Sequence, residues 1–338
     1  MGVKVKILGI ETSCDETAAA VVEDGTKILS NIVASSQEMH AKTGGIIPEQ
    51  AARQQVKSIT SVIDQALDTK QKKIDAIAVT VGPGLIGSLL VGVETAKTLS
   101  YLWKKPIVPI NHLVGHLYAN WLEGSTPEFP ALGLVVSGGH TDMVLMKNHG
   151  NIKWIGGTRD DAAGEAFDKT ARLLGLGYPG GPAIAAQAAK FEVRNPKPEL
   201  NLFPRPLINE DNFDFSFSGL KTAVLNYINH QSSVISHRRL AAEVQEAIVD
   251  VLVTKSVKAV QKYKPKSFLL GGGVAANNRL RERFQEEFVS KKLQATFHVP
   301  AVKFCTDNAS VIASAAHFNY RPVDWKKIVA NPQLTITD

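Results

Sequence analysis

Apolar and polar positions along the chain alternate in a way that predicts mixed helices and strands throughout. The apolar run Ile7–Val22 is interrupted by a small polar turn, and a second run at Leu132–Met146 repeats the pattern. Each run predicts a β-hairpin, because a polar turn separates two apolar strands. At one constant spacing, three residues of the first hairpin match identical residues of the second: Gly9, Ser13 and Thr17 fall on Gly133, Ser137 and Thr141. The repeat predicts a duplicated domain.

Alternating helices and strands follow each hairpin. Helical spacing predicts a helix over 48–67, and its apolar face is expected to carry Val56, Ile59, Ile63 and Leu67. Shorter apolar runs predict strands, and longer periodic runs predict helices. The strands are expected at 74–81, 107–110 and 267–270, and the helices at 87–101, 161–174, 238–263 and 277–288.

This order of elements predicts an α/β protein with two mixed lobes that face each other across a cleft. That is the plan of the actin/Hsp70/sugar-kinase superfamily (ASKHA), in which duplicated RNase H-like lobes enclose a central nucleotide cleft. We expect an N-terminal lobe over 1–108, to which 318–338 returns, and a C-terminal lobe over 109–317. The fold class alone assigns no function.

Composition narrows the class of protein without choosing a function. Hydrophobic residues make up 44% of the 338 residues and charged residues 21%, which is the balance of a globular chain. No apolar run approaches the roughly 20 residues that a membrane helix needs, so no membrane association is expected. Two cysteines, Cys14 and Cys305, are too few for a disulfide framework, which favours a reducing cytoplasm. A net charge of +6 is compatible with a nucleic-acid partner but does not demand one.

Two glycine-rich turns are candidates for holding a phosphate, because backbone N–H groups can converge on an anion where no Cβ blocks them. Ser137–Gly139 forms the turn of the second hairpin, and an ordinary tight turn explains it equally well. Gly271–Gly273 follows a predicted strand and opens a helix, whose N-terminus attracts anions. The order of strand, glycines and helix favours this second turn as a site for phosphate or adenosine.

A histidine pair follows the short strand at 107–110. If Asn111 caps a helix there, His112 and His116 project from one face at spacing i, i+4. That spacing suits two imidazole ligands of one metal ion. Leucine at position 113 replaces the glutamate that a zinc protease carries between its histidines, which counts against a metalloprotease.

The pattern does not choose a third ligand for this metal. Asp307 is one candidate. It could equally be the N-cap of a helix that begins at Asn308 or Ala309, since aspartate is a favoured cap residue.

Asp168 lies in a predicted helix, opposite an apolar face that is expected to bury Phe167 and Ala171. It shares the polar face with Glu165 and Arg172, as it would on any solvated helix. The glycine- and proline-rich loop Gly175–Pro182 that follows is unusually constrained, and it favours the wall of a binding site instead.

Together these motifs resemble one family, TsaD (also Gcp or Kae-type), the tRNA N6-adenosine threonylcarbamoyltransferases. The resemblance runs in family order from about residue 7 to residue 325. Its matching segments are Gly9–Thr17, Gly44–Glu49, Gly82–Gly87, Asn111–His116, Val136–Thr141, Asp161–Thr170, Tyr178–Pro182, Phe217–Thr222, Gly271–Asn277 and Cys305–Asn308.

The resemblance implies transfer of a threonylcarbamoyl group from threonylcarbamoyl-AMP to a tRNA, which forms t6A and releases AMP. The acceptor would be N6 of the adenosine at position 37, 3′-adjacent to the anticodon, in tRNAs reading codons that begin with adenine. His112, His116 and Asp307 would hold one divalent metal ion per subunit, with Fe²⁺ expected in preference to Zn²⁺. Substrate would be bound by Val136, Ser137, Gly138, Gly139, His140, Asp168, Gly181 and Asn277.

Within that implied site, Asp168 would bind the ribose hydroxyls and Asn277 would meet the nucleotide. The resemblance assigns no catalytic acid or base. It also implies a TsaB-like paralogue and a TsaE-like ATPase as partners, and a cytoplasmic location. The predicted helix at 87–101 carries apolar residues on more than one side, among them Leu90 and Val93, which fits a partner-facing helix or one packed within its own lobe.

Two positions depart from the family pattern. Ala185 stands where the family often has an acidic residue, so a second ribose-binding carboxylate is absent. Gln55 stands where a histidine is common, so the contacts of that segment are expected to differ.

Three other functions are alternatives. A kinase or ATPase of the same superfamily would have no use for the histidine pair with Asp307, and a metalloprotease lacks its glutamate. A non-enzymatic partner subunit would be expected to have lost the histidines.

Overall fold

The computed structural model describes residues 4–68, 73–124, 126–192, 199–230 and 236–338. Its strands are β1 (Lys6–Glu11), β2 (Glu16–Glu23), β3 (Lys27–Ser35), β4 (Ala76–Gly82), β5 (Ile107–Asn111), β6 (Ala131–Val136), β7 (Thr141–Asn148), β8 (Asn151–Gly157), β9 (Ser267–Gly271) and β10 (Thr296–His298). Its helices are α1 (Gln37–Thr43), α2 (Pro48–Asp68), α3 (Ile86–Trp103), α4 (His112–Tyr118), α5 (Ala163–Leu173), α6 (Gly180–Glu192), α7 (Ser218–His230), α8 (His237–Tyr263), α9 (Asn278–Ser290) and α10 (Ala309–Phe318).

The strands form two five-stranded sheets with the same internal order. The first runs β3-β2-β1-β4-β5, and the second, read from its far edge, runs β8-β7-β6-β9-β10. In the first sheet β1 pairs antiparallel with β2 and parallel with β4, and in the second β6 pairs parallel with β9. The repeated order confirms the predicted duplication and the α/β fold class. The sequence analysis did not predict the strands β3, β8 and β10 or the helices α1, α6 and α7.

By its internal contacts the chain divides into two compact units. The first comprises Met1–Pro127, Met146–Ile152 and Pro300–Asp338, and the second Glu128–Leu145 and Lys153–Val299. The boundaries expected from the sequence, 1–108 with 318–338 and 109–317, stay a prediction. Within the described residues no helix is both long and apolar enough to span a bilayer.

The core of the first unit lies between its sheet and helices α2 and α3. Leu8 and Ile10 of β1 pack in one cluster with Ile59 of α2 and with Leu89 and Val93 of α3. All five side chains are at most 6% exposed. Strand β1 is therefore held firmly at the position where it ends in the first hairpin turn.

The buried face of α2 differs from the predicted one. Val56 was expected in the core but is 63% exposed, whereas its neighbour Gln55 is 1% exposed. The buried stripe runs through Ala51, Gln55, Ile59 and Ala66, at the spacing of one helix face. The prediction for Val56 was wrong because a polar side chain occupies the core-facing position beside it.

In the second unit, strand β9 carries the buried Phe268, which packs against Phe284 of α9 with ring centroids 5.0 Å apart. Helix α8 also buries Lys255, whose Nζ donates to the backbone and side-chain oxygens of Asn212 at 2.9 and 3.1 Å. The Phe268–Phe284 contact holds β9, from which the glycine triplet continues, against α9.

Candidate metal centre and substrate site

Helix α4 begins where strand β5 ends, and Asn111 caps it. The Asn111 side-chain oxygen accepts hydrogen bonds from the N–H groups of Leu113 at 2.9 Å and Val114 at 3.4 Å. The expected cap is thereby confirmed. His112 and His116 lie on one face of the helix, with ring centroids 4.5 Å apart and side chains 12% and 1% exposed.

Asp307 joins the two histidines. The cap of α10 is Asn308, whose side-chain oxygen accepts from the N–H of Ser310 at 3.2 Å, so Asp307 is not the helix cap. Its Oδ1 lies 3.6 Å from Nε2 of His112 and 3.5 Å from Nε2 of His116. The three candidate ligands therefore converge, although 191 residues or more separate Asp307 from the histidines in sequence.

Close packing of α4 on α10 brings these ligands together. Gly115, between the histidines, faces Ile312 of α10, and a Cβ at position 115 would lie 2.6 Å from the Ile312 Cδ1 atom. A side chain at position 115 would require the end of the Ile312 side chain to shift. Gly115 therefore leaves the room that Ile312 occupies against α4.

Glu11, at the end of β1, lies behind His112. Its Oε2 is 3.0 Å from Nδ1 of His112 and accepts a hydrogen bond from Thr80 Oγ1 at 2.7 Å. Its Oε1 accepts from the N–H of Ser13 at 2.5 Å, and Ser13 Oγ lies 3.2 Å from the same Nδ1. Because an ionised carboxylate only accepts hydrogen bonds, Nδ1 carries the hydrogen and Nε2 is directed to Asp307.

Charge and burial oppose each other in this cluster. Burial disfavours the charged form of His112, but the Glu11 and Asp307 carboxylates outweigh it and raise the pKa of His112 to about 9. Burial also opposes the Glu11 carboxylate, and the nearby His112 outweighs it and lowers the pKa of Glu11 to about 2. Burial, reinforced by Glu11, raises the pKa of Asp307 to about 6. A bound cation would compensate the two carboxylates in place of the proton on His112.

The donor set fits one divalent metal ion. The ligand atoms of His112, His116 and Asp307 all lie within 4.8 Å of one another. Around a metal roughly 2.1 Å from each ligand, tetrahedral neighbours are about 3.4 Å apart, close to the observed 3.5 and 3.6 Å. A carboxylate behind one histidine is the usual way in which a metal-binding imidazole is oriented. Nitrogen and oxygen donors suit Fe²⁺ and Zn²⁺ alike.

The predicted substrate residues all lie in the second unit, around the turn between β6 and β7. Three glycines allow neighbouring segments to approach each other there. A Cβ on Gly164 would lie 2.5 Å from Ser137 O, one on Gly272 2.3 Å from Val136 O, and one on Gly180 2.5 Å from Asp168 Cα. The N-terminus of α5 and the glycine triplet therefore lie against the turn between β6 and β7, and the N-terminus of α6 lies against Asp168 of α5.

Other glycines of this region leave backbone uncovered. A Cβ on Gly138, Gly139, Gly181 or Gly273 would meet no described atom within 4 Å. Close by, the Ser137 N–H donates to His140 O at 2.8 Å, and the His140 N–H lies 3.1 Å from Ser137 Oγ. The turn therefore has a defined shape and presents bare peptide groups, as a phosphate-binding turn requires.

Asp168 and Asn277 are partly engaged within the protein. Asp168 Oδ1 accepts from the N–H of Gly180 at 2.6 Å, and burial raises the pKa of the Asp168 carboxyl. Asn277 caps α9 by accepting from the N–H of Leu280 at 3.0 Å, and its amide nitrogen donates to Gln245 Oε1 at 2.9 Å. The second oxygen of Asp168 and the second amide hydrogen of Asn277 are available to a ligand.

Sequence reasoning assigned no role at the metal site to Glu11, Ser13 or Thr80, which lie behind His112. A signal existed for Glu11, since a carboxylate ends an otherwise apolar strand. Nothing local, however, connects Glu11 to His112, because 101 residues separate them.

Comparison with known proteins identifies the family. The family model "TsaD: tRNA N6-adenosine threonylcarbamoyltransferase" matches residues 27–314. The chain belongs to the TsaD family. A relative from Dehalococcoides mccartyi named tRNA N6-adenosine threonylcarbamoyltransferase is 52% identical over 319 residues, which is 94% of each chain. One from Bacillus cereus with the same name is 48% identical over 338 residues, covering 98% of this chain and 96% of the relative.

Among solved structures, full-length HypF in its phosphate- and nucleotide-bound form superimposes with a TM-score of 0.59 at 12% identity. The match covers 93% of this TsaD-family chain and 55% of HypF. An identity this low shows the fold alone. It agrees with the two like-ordered sheets in confirming the predicted α/β fold.

Proposed function

We propose that this TsaD-family enzyme transfers the threonylcarbamoyl group of threonylcarbamoyl-AMP to N6 of adenosine 37 in tRNAs that read codons beginning with adenine. In this reaction N6 attacks the carbamoyl carbon, the bond from that carbon to the phosphate oxygen breaks, and AMP leaves. N6 loses one proton to solvent. The convergence of His112, His116 and Asp307 in a chain that matches the family over residues 27–314 carries the proposal.

The metal, Fe²⁺ or Zn²⁺, would be held by His112, His116 and Asp307. When bound, it supplies a Lewis acid that can polarise an oxygen of the threonylcarbamoyl group. Glu11 fixes the ring of His112 with Nε2 toward the ligand cluster. Buried Leu113 occupies the position between the histidines, where a protease would need a carboxylate, so hydrolysis of peptides is disfavoured.

The adenylate would be bound by the second unit. The uncovered backbone N–H groups of Gly138, Gly139 and Gly181 would hold the phosphate and stabilise the charge that develops on departing AMP. Asp168, through its second oxygen, would accept from the ribose hydroxyls, and Asn277 would donate to the nucleotide. The donor is already activated, so positioning is the main task left to these residues.

Partners are part of the proposal. Helix α3 exposes Ile86 (49%) and Leu90 (45%) one turn apart, an apolar surface suited to a TsaB-like paralogue. Val93 is fully buried and cannot contribute to that surface. A TsaE-like ATPase and tRNA complete the set of partners, and the reaction would take place in the cytoplasm, where tRNA is modified.

Depletion of the protein in its host tests the proposal. Nucleosides from bulk tRNA would be quantified by mass spectrometry before and after depletion. We expect t6A to fall while unrelated modified nucleosides stay constant, and a plasmid copy of the wild-type gene to restore it. Unchanged t6A after depletion would contradict the proposed activity.

A further inference from the structure

Gln55 is a buried polar residue on the core-facing stripe of α2. Its side chain points at the turn between β1 and β2. The amide nitrogen lies 3.4 Å from Thr12 O, 3.1 Å from Cys14 O and 3.0 Å from Glu16 O. The Gln55 side chain therefore contacts three of the five peptide carbonyls of residues 12–16.

The amide can work in one orientation only. All three neighbours are acceptors, so the nitrogen, with its two hydrogens, must face them. The opposite atom, Gln55 Oε1, is buried and has no hydrogen-bond partner among the described residues. A buried acceptor without a partner lowers stability. The contribution of Gln55 to the structure therefore comes from the hydrogen bonds that its amide nitrogen donates.

The turn that Gln55 holds carries the groups that orient His112. Ser13 places its Oγ 3.2 Å from His112 Nδ1, and its N–H fixes the Glu11 carboxylate. Helix α3 holds the other side of the turn, because Ser88 Oγ donates to Cys14 O at 3.0 Å. The turn is thus clamped between α2 and α3, and Gln55 is the clamp on the α2 side.

We propose that Gln55 is a positioning residue of the metal centre, acting through the β1–β2 turn on Ser13, Glu11 and His112. It touches neither metal nor substrate. By fixing the carbonyls of Thr12, Cys14 and Glu16, it keeps His112 Nε2 aimed at Asp307. The inference rests on the metal site proposed above.

The sharpest variant is Gln55→Glu, which keeps the size of the side chain but places carboxylate oxygens against three carbonyl oxygens. Gln55→His retains an N–H donor and is expected to restore the function. Gln54→Glu is the matched control, because it adds the same charge at the exposed neighbouring position of α2. Gln55→Ala removes the donor without adding charge, should the glutamate variant fail to fold.

Two measurements report on the proposal. The first is the Kd for Zn²⁺, from competition with a chromophoric chelator, with Co²⁺ absorption as a report of ligand geometry. The second does not depend on metal: it is the rate at which a thiol reagent labels Cys14 in metal-free protein, with the site identified by peptide mass spectrometry. Cys14 lies in the turn and is partly exposed, whereas Cys305 is fully buried.

We expect Gln55→Glu to weaken Zn²⁺ binding by about 10- to 100-fold and to alter the Co²⁺ spectrum. In Gln55→Ala, which adds no charge beside Cys14, the thiol reagent should label Cys14 faster than in the wild type. The histidine variant and Gln54→Glu should resemble the wild type. Wild-type metal affinity and labelling in folded Gln55→Glu or Gln55→Ala would overturn the inference, even if the melting temperature falls. If the wild type itself bound no metal, the metal proposal would fail, and faster labelling of Cys14 in Gln55→Ala would still support the clamp on the turn.

Discussion

Glu11 Oε2 lies 3.0 Å from Nδ1 of His112, on the side of the ring that faces away from Asp307. The Glu11 side chain is 1% exposed, and Thr80 and Ser13 fix both of its oxygens. This relationship sets the tautomer of His112 and so makes Nε2 a metal ligand. It also means that the metal site depends on a strand more than 100 residues away from α4.

Replacing Glu11 should weaken the metal site without removing a ligand. Glu11→Gln keeps the shape but lets an amide face Nδ1, so the ring is no longer held in one tautomer. We expect the Kd for Zn²⁺ to rise by about 10- to 100-fold. Chelator competition measures it, with Glu38→Gln on the exposed part of α1 as the control. Equal affinities for wild type and Glu11→Gln would remove Glu11 from the site.

Metal binding should depend on pH with a definite sign. Nε2 of His112 must be free of its proton to bind a metal, and the pKa of His112 in the metal-free protein is about 9. Below that pH each bound Zn²⁺ displaces one proton, so affinity should rise by about tenfold per pH unit. Chelator competition between about pH 6 and pH 8 tests this slope. A flat profile would show that His112 is not protonated in the metal-free state.

The same raised pKa gives the stability of metal-free protein the opposite dependence. A raised histidine pKa stabilises the fold fully below the unfolded value of 6.5, and that contribution is lost as the pH rises through about 9. Denaturation of metal-free wild type should show this loss, and His112→Gln should lack it. Parallel profiles for the two proteins would contradict the His112–Glu11 ion pair.

Asp168→Asn should weaken nucleotide binding while leaving the protein folded. Asparagine can still accept from the Gly180 N–H, but the charged acceptor for the ribose is lost. We expect AMP to bind about 1.5–3 kcal/mol less tightly by calorimetry, with metal content unchanged. Glu165→Gln on the same helix is the control, because that side chain is 44% exposed and pairs with Lys169. If Asp168→Asn bound AMP as tightly as the Glu165→Gln control, Asp168 would be an ordinary surface residue of the helix and not a ligand of the ribose.

The exposed surface of α3 gives a separate test of the partner. Leu90→Asp should abolish binding of the TsaB-like subunit with little change in melting temperature, since Leu90 is 45% exposed. Val93→Asp should instead unfold the unit, because Val93 is fully buried in the core. Sedimentation of the mixed subunits measures the complex. Undiminished binding by Leu90→Asp would place the partner elsewhere.

The sequence predicted those parts of the site that depend on local spacing. The i, i+4 pair His112 and His116 and the cap at Asn111 follow from helix geometry, and the structure agrees. The sequence left Asp307 either as a metal ligand or as the N-cap of α10. The structure decides between these roles, because the N-cap is the neighbouring Asn308.

Tertiary partners could not be predicted. The pairing of Glu11 with His112 spans 101 residues, and periodicity carries no information on such contacts. The burial of Gln55 was not predicted for a related reason. Apolar Val56 looked like the core residue, while the buried position belonged to a glutamine whose partners are backbone carbonyls of a distant turn.

Reconstituted single-turnover transfer is the most direct test of the central claim. Metal-loaded protein, its TsaB-like and TsaE-like partners, preformed threonylcarbamoyl-AMP and unmodified tRNA would be mixed, and nucleosides of the product tRNA analysed by mass spectrometry. The account predicts t6A at position 37 with the wild type. It predicts none with His112→Ala or His116→Ala, each folded but depleted of metal. Formation of t6A at the wild-type rate by a metal-free histidine variant would contradict it.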